Sequence, residues 1–505
     1  MYQFSGKLKT FSLALIMIGL IGTIFSFYNG SQKTIEDAQH VIAASHNSGH
    51  GATHEDSTVH SEEKTTGAHS KNIEEHGNET SHAEEKTTGA HANNIEEHGD
   101  EMVHAEENIS DSHAPKVTEH AAEESHSAAD VLEHETHVLH QLQNRPWSAF
   151  YVALFFSLGI TLLVLAFYAI QRVAQVGWSI VILRVMEAIT ANLLPVSIIM
   201  IAVLVASVLH MNHIFPWMAE GTVDPTSDNY DAIVDGKSWW MNSTGFIVRS
   251  IFYLIAWNAY RFFIRKGSIR EDTADDGNKT YKKNFNVSVI FLFIFMITES
   301  MMSWDWIMSV DPHWFSTLFG WYVFASMFVS GITTIALVTI YLKSKGYLEK
   351  VNHNHIHDLG KFMFGVSIFW AYLWFSQFML IWYANIPEEV TYFITRIEDY
   401  NLPFFGMIVL NLIFPFLLLM NSDYKRVNWF IVMTGIIILI GHYIDVFNMI
   451  MPATVGDQWF IGVPEISGIL FFSGLFIYVV FNSLSKVPLE PSGDPLIKES
   501  EKFEY

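Results

Sequence analysis

Two pairs of ionisable side chains stand in this sequence where hydrocarbon surroundings would make them expensive. NFNVSVIFLFIFMITESMMSWDWIMSVDPHWF (284–315) carries Glu299 and Asp305, and WFIVMTGIIILIGHYIDVFNM (429–449) carries His442 and Asp445. On a helix, a six-residue separation sets Glu299 and Asp305 about 9 Å apart along the axis and roughly 120° apart around it. His442 and Asp445, three residues apart, are neighbours on one face. Arg249, near the start of another apolar run, is a counter-charge for Glu299 or Asp305, and His210 ends a further run. Such groups suit proton or quinol chemistry. Desolvation raises a carboxyl pKa, a nearby guanidinium lowers it, and imidazole starts near neutrality. A carboxylate–imidazole pair can therefore take a hydroxyl proton and pass it on. The bland alternative is a buried ion pair that fixes helix packing, with Asp305 and Asp445 at the membrane interface. Met301, Met302, Trp304, Trp306 and Met308 could line a flat aromatic pocket, although such residues also serve as ordinary packing and interface belt.

Two acidic, aromatic stretches read as docking surface for an extramembrane partner, or as interfacial belt. They are DPHWF (311–315), with Asp311, His313 and Trp314, and WYANIPEE (382–389), with Glu388 and Glu389. NHNHIHD (352–358) has the composition of a weak metal site, but a polar turn explains it as well. The apolar part of the chain has no Gly-rich phosphate loop, nucleophile–base motif or compact metal motif. The absence of cysteine excludes thiolate-held iron–sulfur clusters, thioether-linked haem and disulfides on this chain.

The elements that must position these residues are membrane helices. Half of the residues are hydrophobic, 14% are aromatic and only 16% are charged. Ten stretches approach the ~20 apolar residues that a span needs. They are 11–28, 148–170, 182–210, 245–264, 285–308, 317–342, 362–383, 402–420, 429–450 and 463–482, with Pro195 and Pro415 inside the third and eighth. The fold class expected is an all-α integral membrane protein. Its parts are an N-terminal anchor helix (1–30), an acidic His-rich segment (31–147), two helical regions (148–308 and 309–450), and a last helix with its tail (451–505). Alternate loops hold 20 Lys/Arg and the opposite set eight, which puts both termini in the cytoplasm. The first apolar run is long for a signal peptide and lacks a small-x-small cleavage site, so an uncleaved anchor is expected.

The segment 31–147 holds 17 of the 24 histidines. It also repeats itself, with EEKTTGAHSKNIEEHG (62–77) returning as EEKTTGAHANNIEEHG (84–99). Its few large apolar residues cannot offset chain entropy, so disorder is expected over about 45–125, followed by a helix leading into the second span. Loose zinc or copper binding by its imidazoles is one reading, and a solvated linker is the other. Nucleic-acid binding is disfavoured because no basic face is available.

In SWDWIMSVDPHWFSTLFGWYVF (303–324) and WYANIPEE (382–389), the sequence resembles the F-subunit family of bacterial alternative complex III. That family belongs to the polysulfide-reductase C/NrfD-like membrane proteins, and the resemblance covers about 145–485. It implies two four-helix bundles, spans two to five and six to nine, flanked by extra helices. It also implies a place in the bacterial inner membrane, within a respiratory complex that oxidises menaquinol. The partners implied are a related C subunit, an iron–sulfur subunit, haem c subunits and a terminal oxidase. Electrons would travel through cofactors on those partners, and this chain would carry none. Proton conduction is the role implied, with Glu299, Asp305, His442, Asp445, Arg249 and His210 as proton-path or quinone-contact groups. The competing class is a secondary transporter for protons or divalent cations, fed by the His-rich loop. A purely structural scaffold is the third.

Overall fold

The computed structural model describes residues 1–49, 117–274 and 276–504, and these are helical with no strand among them. In chain order the helices are α1 (Gly6–Ser31), α2 (Ile35–Gly49), α3 (Val117–Val173), α4 (Leu183–Ile189), α5 (Leu193–Val208), α6 (Ala232–Asp235), α7 (Ser243–Glu271) and α8 (Lys279–Trp306). There follow α9 (Phe319–Ser344), α10 (His353–Ala384), α11 (Pro387–Glu398), α12 (Asn401–Ile408), α13 (Phe414–Leu419), α14 (Asn428–Val455), α15 (Val463–Leu484) and α16 (Ile497–Glu501). Among the described residues, nine helical stretches are long and apolar enough to cross a membrane. The chain is thus a multi-pass α-helical membrane protein. The tenth stretch expected, α7, is a full 29-residue helix that is not among those nine. Arg249, Arg261, Arg265, Lys266 and Arg270 along it lower its apolarity.

The chain divides into two units, Met1–His40 with His134–Tyr505, and Val41–Glu133. Most of the stretch expected to lack structure lies outside the described residues. Its edges, 45–49 and 117–125, are helical, which corrects the expectation there. The cause is composition: EHAAEESHSAADVLEHE is dense in strong helix formers, so the helix of the second span extends back to Val117.

Small residues set the closest helix contacts. α1 lies along α15 because Gly19 and Gly22 face Phe471 and Ser467, and Gly474 faces Ser12 and Ile16. A Cβ at Gly474 would sit 2.8 Å from the Ser12 carbonyl oxygen. The prolines act on backbone hydrogen bonding. A ring without an N–H interrupts the i→i−4 ladder, and the chain compensates with a 3₁₀ turn at Thr190–Asn192 before Pro195 and a π turn at Val409–Ile413 before Pro415.

Among the described residues, most of the buried arginines are paired with carboxylates. Arg145 spans from α3 to Glu465 on α15 (3.2 Å). Arg172 holds Glu271 (2.8 Å) and Asp494 of the C-terminal tail (2.9 Å). Arg184 holds Glu187 (2.8 Å) and Asp272 (2.5 Å), and Arg265 also pairs with Glu187. Removing ions from water is offset only by such pairing. NHNHIHD caps a helix: Asn352 accepts from the backbone N–H of Asn354 and His355, and the His355 Nδ1 accepts from the Asn352 N–H (3.1 Å).

Candidate functional site

Asp305 is the centre of the first cluster. α8 delivers it near its C-terminal end, and α7, capped by the Asn242 side chain at Gly245 N–H (2.7 Å), delivers Arg249 and Tyr253. Arg249 donates to both carboxylate oxygens, Nε to Oδ2 at 2.9 Å and Nη2 to Oδ1 at 2.8 Å. The Tyr253 hydroxyl donates to Oδ2 (2.8 Å) and the Trp240 indole N–H to Oδ1 (2.9 Å). Trp240 also lies under the guanidinium, 4.1 Å from its ring centre. Four donors on one buried carboxylate make a rigid charge-neutral clamp. Of the two acids considered as partner for Arg249, Asp305 is therefore the one it holds. Glu299 is buried nearby on α8, and its Oε1 has no hydrogen-bond partner.

The second cluster is built by α9, α10 and α14. Asp445 and His442 are fully buried. Asp445 accepts from the Tyr322 hydroxyl at Oδ1, and at Oδ2 from Ser326 Oγ (2.6 Å) and the Trp370 indole N–H (2.8 Å). Ser326 Oγ also lies 2.9 Å from His442 Nδ1. A hydroxyl has one proton to give. Since Ser326 spends it on Asp445, His442 Nδ1–H donates to Ser326. That fixes the tautomer and leaves Nε2 a bare acceptor, buried and without a partner. Also buried and without a partner among the described residues are both amide atoms of Asn411 and the hydroxyls of Thr434 and Thr333. Asn411 sits in the π turn and packs against Gly441, beside His442. Isolated buried polar groups are rare, and water commonly satisfies them.

The two clusters lie at the same end of the helices, linked by the Trp314 ring stacked on Tyr392 at 3.9 Å. A cavity of about 290 Å³ opens there, lined by Lys237, Trp240, Trp304, Asp311 and Trp314 among others. The indole N–H groups of Trp304 and Trp314 have no acceptor. Burial pushes the Lys237 ammonium pKa down, and Lys237 donates to the Pro312 carbonyl (2.7 Å).

Trp314 corrects one sequence expectation. It is 2% exposed, because stacking on Tyr392 and edge contact with Phe319 draw it inward, so it is no docking surface. Asp311 is half-buried at the cavity and Glu389 is half-buried as well, whereas Glu388 is exposed. His313 is exposed and bonds Asp231 (2.5 Å). His210 is exposed in a turn with φ +54° and does not join the Asp305 cluster. Tyr322, Ser326, Trp370, Tyr253, Trp240 and Arg396 are site residues that sequence reasoning did not single out. Hydroxyl and indole donors in apolar helices give no signal by type alone. Among the described residues, no group of three His, Asp or Glu is placed to hold a metal. The metal-gathering role considered for the His-rich repeats lies outside the described residues. No family model matches the chain, and no curated protein matches it.

Proposed function

We propose that this chain is a membrane subunit of a quinol-oxidising respiratory complex of the alternative complex III type, and that its C-terminal helices conduct protons. The observation that carries the proton role is the His442–Ser326–Asp445 unit with its bare Nε2. A proton arriving at Nε2 allows Nδ1 to release one to Ser326, which hands its own to Asp445, so the imidazole returns to neutrality with one proton moved. Unpartnered hydroxyl and amide groups lead toward Nε2, and Tyr322 leads away from Asp445. The Asp305 clamp, with every oxygen committed to donors, is assigned a structural role.

The place in the complex rests on the resemblance in 303–324 and 382–389. In this reading α7 is the tenth span, its Arg249 neutralised by Asp305, and both termini are cytoplasmic. The α3–α8 and α9–α14 helices form the two four-helix bundles, and α1 with α15 flanks them. The cavity suits contact with a quinone ring, because Trp239, Trp240, Trp304 and Phe315 give it flat aromatic walls. Quinol oxidation supplies protons and electrons, and the electrons leave through iron–sulfur and haem c subunits.

Asp445→Asn in the assembled complex tests the relay. Quinol-driven proton release should fall about tenfold or more, the size typical of losing a positioned proton-transfer group. Unchanged release at unchanged assembly would remove the relay. Glu299→Gln in the same assay decides whether the unpaired Glu299 belongs to the path.

A further inference from the structure

Beyond Tyr322, the relay meets a group it does not use. Arg396 projects inward from α11 and is only 3% exposed. Its Nε donates to the Asn448 carbonyl (3.0 Å), its Nη1 donates to the Tyr392 carbonyl (2.7 Å), and its guanidinium lies 3.3 Å from the Tyr392 ring centre. Among the described residues no carboxylate forms an ion pair with it. Every other deeply buried arginine named above has one, so Arg396 departs from the rule by which this fold places charge.

Arg396 borders a small cavity of about 10 Å³ together with Tyr322, Trp374, Gln377 and Asn448. Gln377 and Asn448 are 3% and 2% exposed, and neither Gln377 Oε1 nor Asn448 Oδ1 receives a hydrogen bond. The Trp374 indole N–H has no acceptor. An anion would suit the guanidinium and the indole but would face two amide oxygens. A cation would suit the oxygens but would face the guanidinium. One water donates twice and accepts twice, which matches the set, and the volume is that of a single water site.

We propose that this cavity binds one ordered water continuing the path from Tyr322 toward α11, and that Arg396 positions this water and acts as an electrostatic gate over the Asp445 relay. The inference rests on the relay reading. A proton on that water sits beside a fixed positive charge, so it does not dwell there. Entry from the α11 side meets the same repulsion, the device by which fixed charges exclude protons in other membrane passages.

The test uses the complex as isolated, reconstituted in liposomes holding a pH-sensitive dye, with passive proton entry followed under an imposed pH gradient. Arg396→Met should raise passive entry about tenfold, the effect of lowering a barrier by ~1.4 kcal/mol. Arg396→Lys should stay near the parent rate because the charge remains. Adding Asp445→Asn to Arg396→Met should abolish the extra leak. If Arg396→Met assembles without a leak while Asp445→Asn still lowers quinol-driven release, the gate is wrong and the relay stands. If Asp445→Asn changes neither quantity, the relay falls and the gate falls with it. A density map of the unaltered complex that resolves ordered water decides the site without any variant. One water peak within hydrogen-bond reach of Gln377 Oε1 and Asn448 Oδ1 is expected. A dry cavity, or a larger ion, overturns the proposal.

Discussion

Replacing Asp305 with Asn keeps the shape of the side chain and removes the charge on which four donors converge. Arg249 would then point one N–H group at an amide NH₂, and either Trp240 or Tyr253 would lose its acceptor. Breaking a buried pair by neutralising one partner costs about 3–5 kcal/mol. The Arg249 side chain is 17% exposed, which favours the lower end of that range, ~3 kcal/mol, because water can reach the orphaned guanidinium. A lost neutral hydrogen bond adds ~1 kcal/mol, so the expected destabilisation is about 3–4 kcal/mol. Arg249→Met removes the cation instead and leaves the carboxylate two neutral donors. In the double variant no charge is stranded, so the two effects should fall short of additivity by ~2 kcal/mol. Denaturant unfolding in detergent, followed by tryptophan fluorescence, measures all three, and Trp240 reports locally because it stacks on Arg249. Strict additivity, or an Asp305→Asn protein within ~0.5 kcal/mol of the parent, would show that the clamp does not hold these helices together.

Gly474→Val should detach α1 from α15, because its Cβ would press on the backbone of Ser12 and Ile16 at 2.8 Å. A destabilisation of about 1–3 kcal/mol is expected, read as faster proteolysis of the first helix, and unaltered protection would count against the contact. Burial opposes ionisation of Asp231, but the His313 hydrogen bond and the Val234 and Ile233 N–H groups outweigh it and hold this carboxyl below its usual pKa. A lowered carboxyl pKa contributes stability that is full above the unfolded value of ~3.9 and is lost as pH falls through the folded value. Hydrogen-exchange protection around α6, corrected for the intrinsic pH dependence of exchange, should therefore hold from neutrality down to about pH 4.5 and fall between the unfolded and the folded pKa. Loss of protection already near pH 6 would place the control elsewhere.

Much of this fold was legible because lipid leaves few ways to satisfy a backbone. Nine of the ten apolar runs reappear as membrane-length helices, and the tenth, α7, is a full helix with charged and polar residues along it. The acids were legible as well, since an ionisable group inside an apolar run is costly and stands out. Their partners were not. Arg249 could have served Glu299 as readily as Asp305 by helical spacing, and side-chain reach across α7 and α8 decides for Asp305. Arg184 and Glu187 lay within an expected span, yet only the fold shows them paired with each other and with Arg265 and Asp272. Trp314 read as surface because it follows a polar DPH turn, but the aromatic face of α11 folds back over it. Arg396 was not singled out in the sequence at all. Its burial depends on α11 turning the apolar side of a short amphipathic helix inward, a tertiary choice that its twelve residues do not announce.

The claim that this chain works as a subunit of a quinol-oxidising complex is tested most directly by isolating it from its native membrane in mild detergent and identifying what comes with it. Co-isolation of polypeptides bearing haem c and iron–sulfur centres, in fixed stoichiometry and with quinol-oxidising activity, is the result expected. A homogeneous protein that carries no redox-active partner from a membrane where such subunits are present would contradict it.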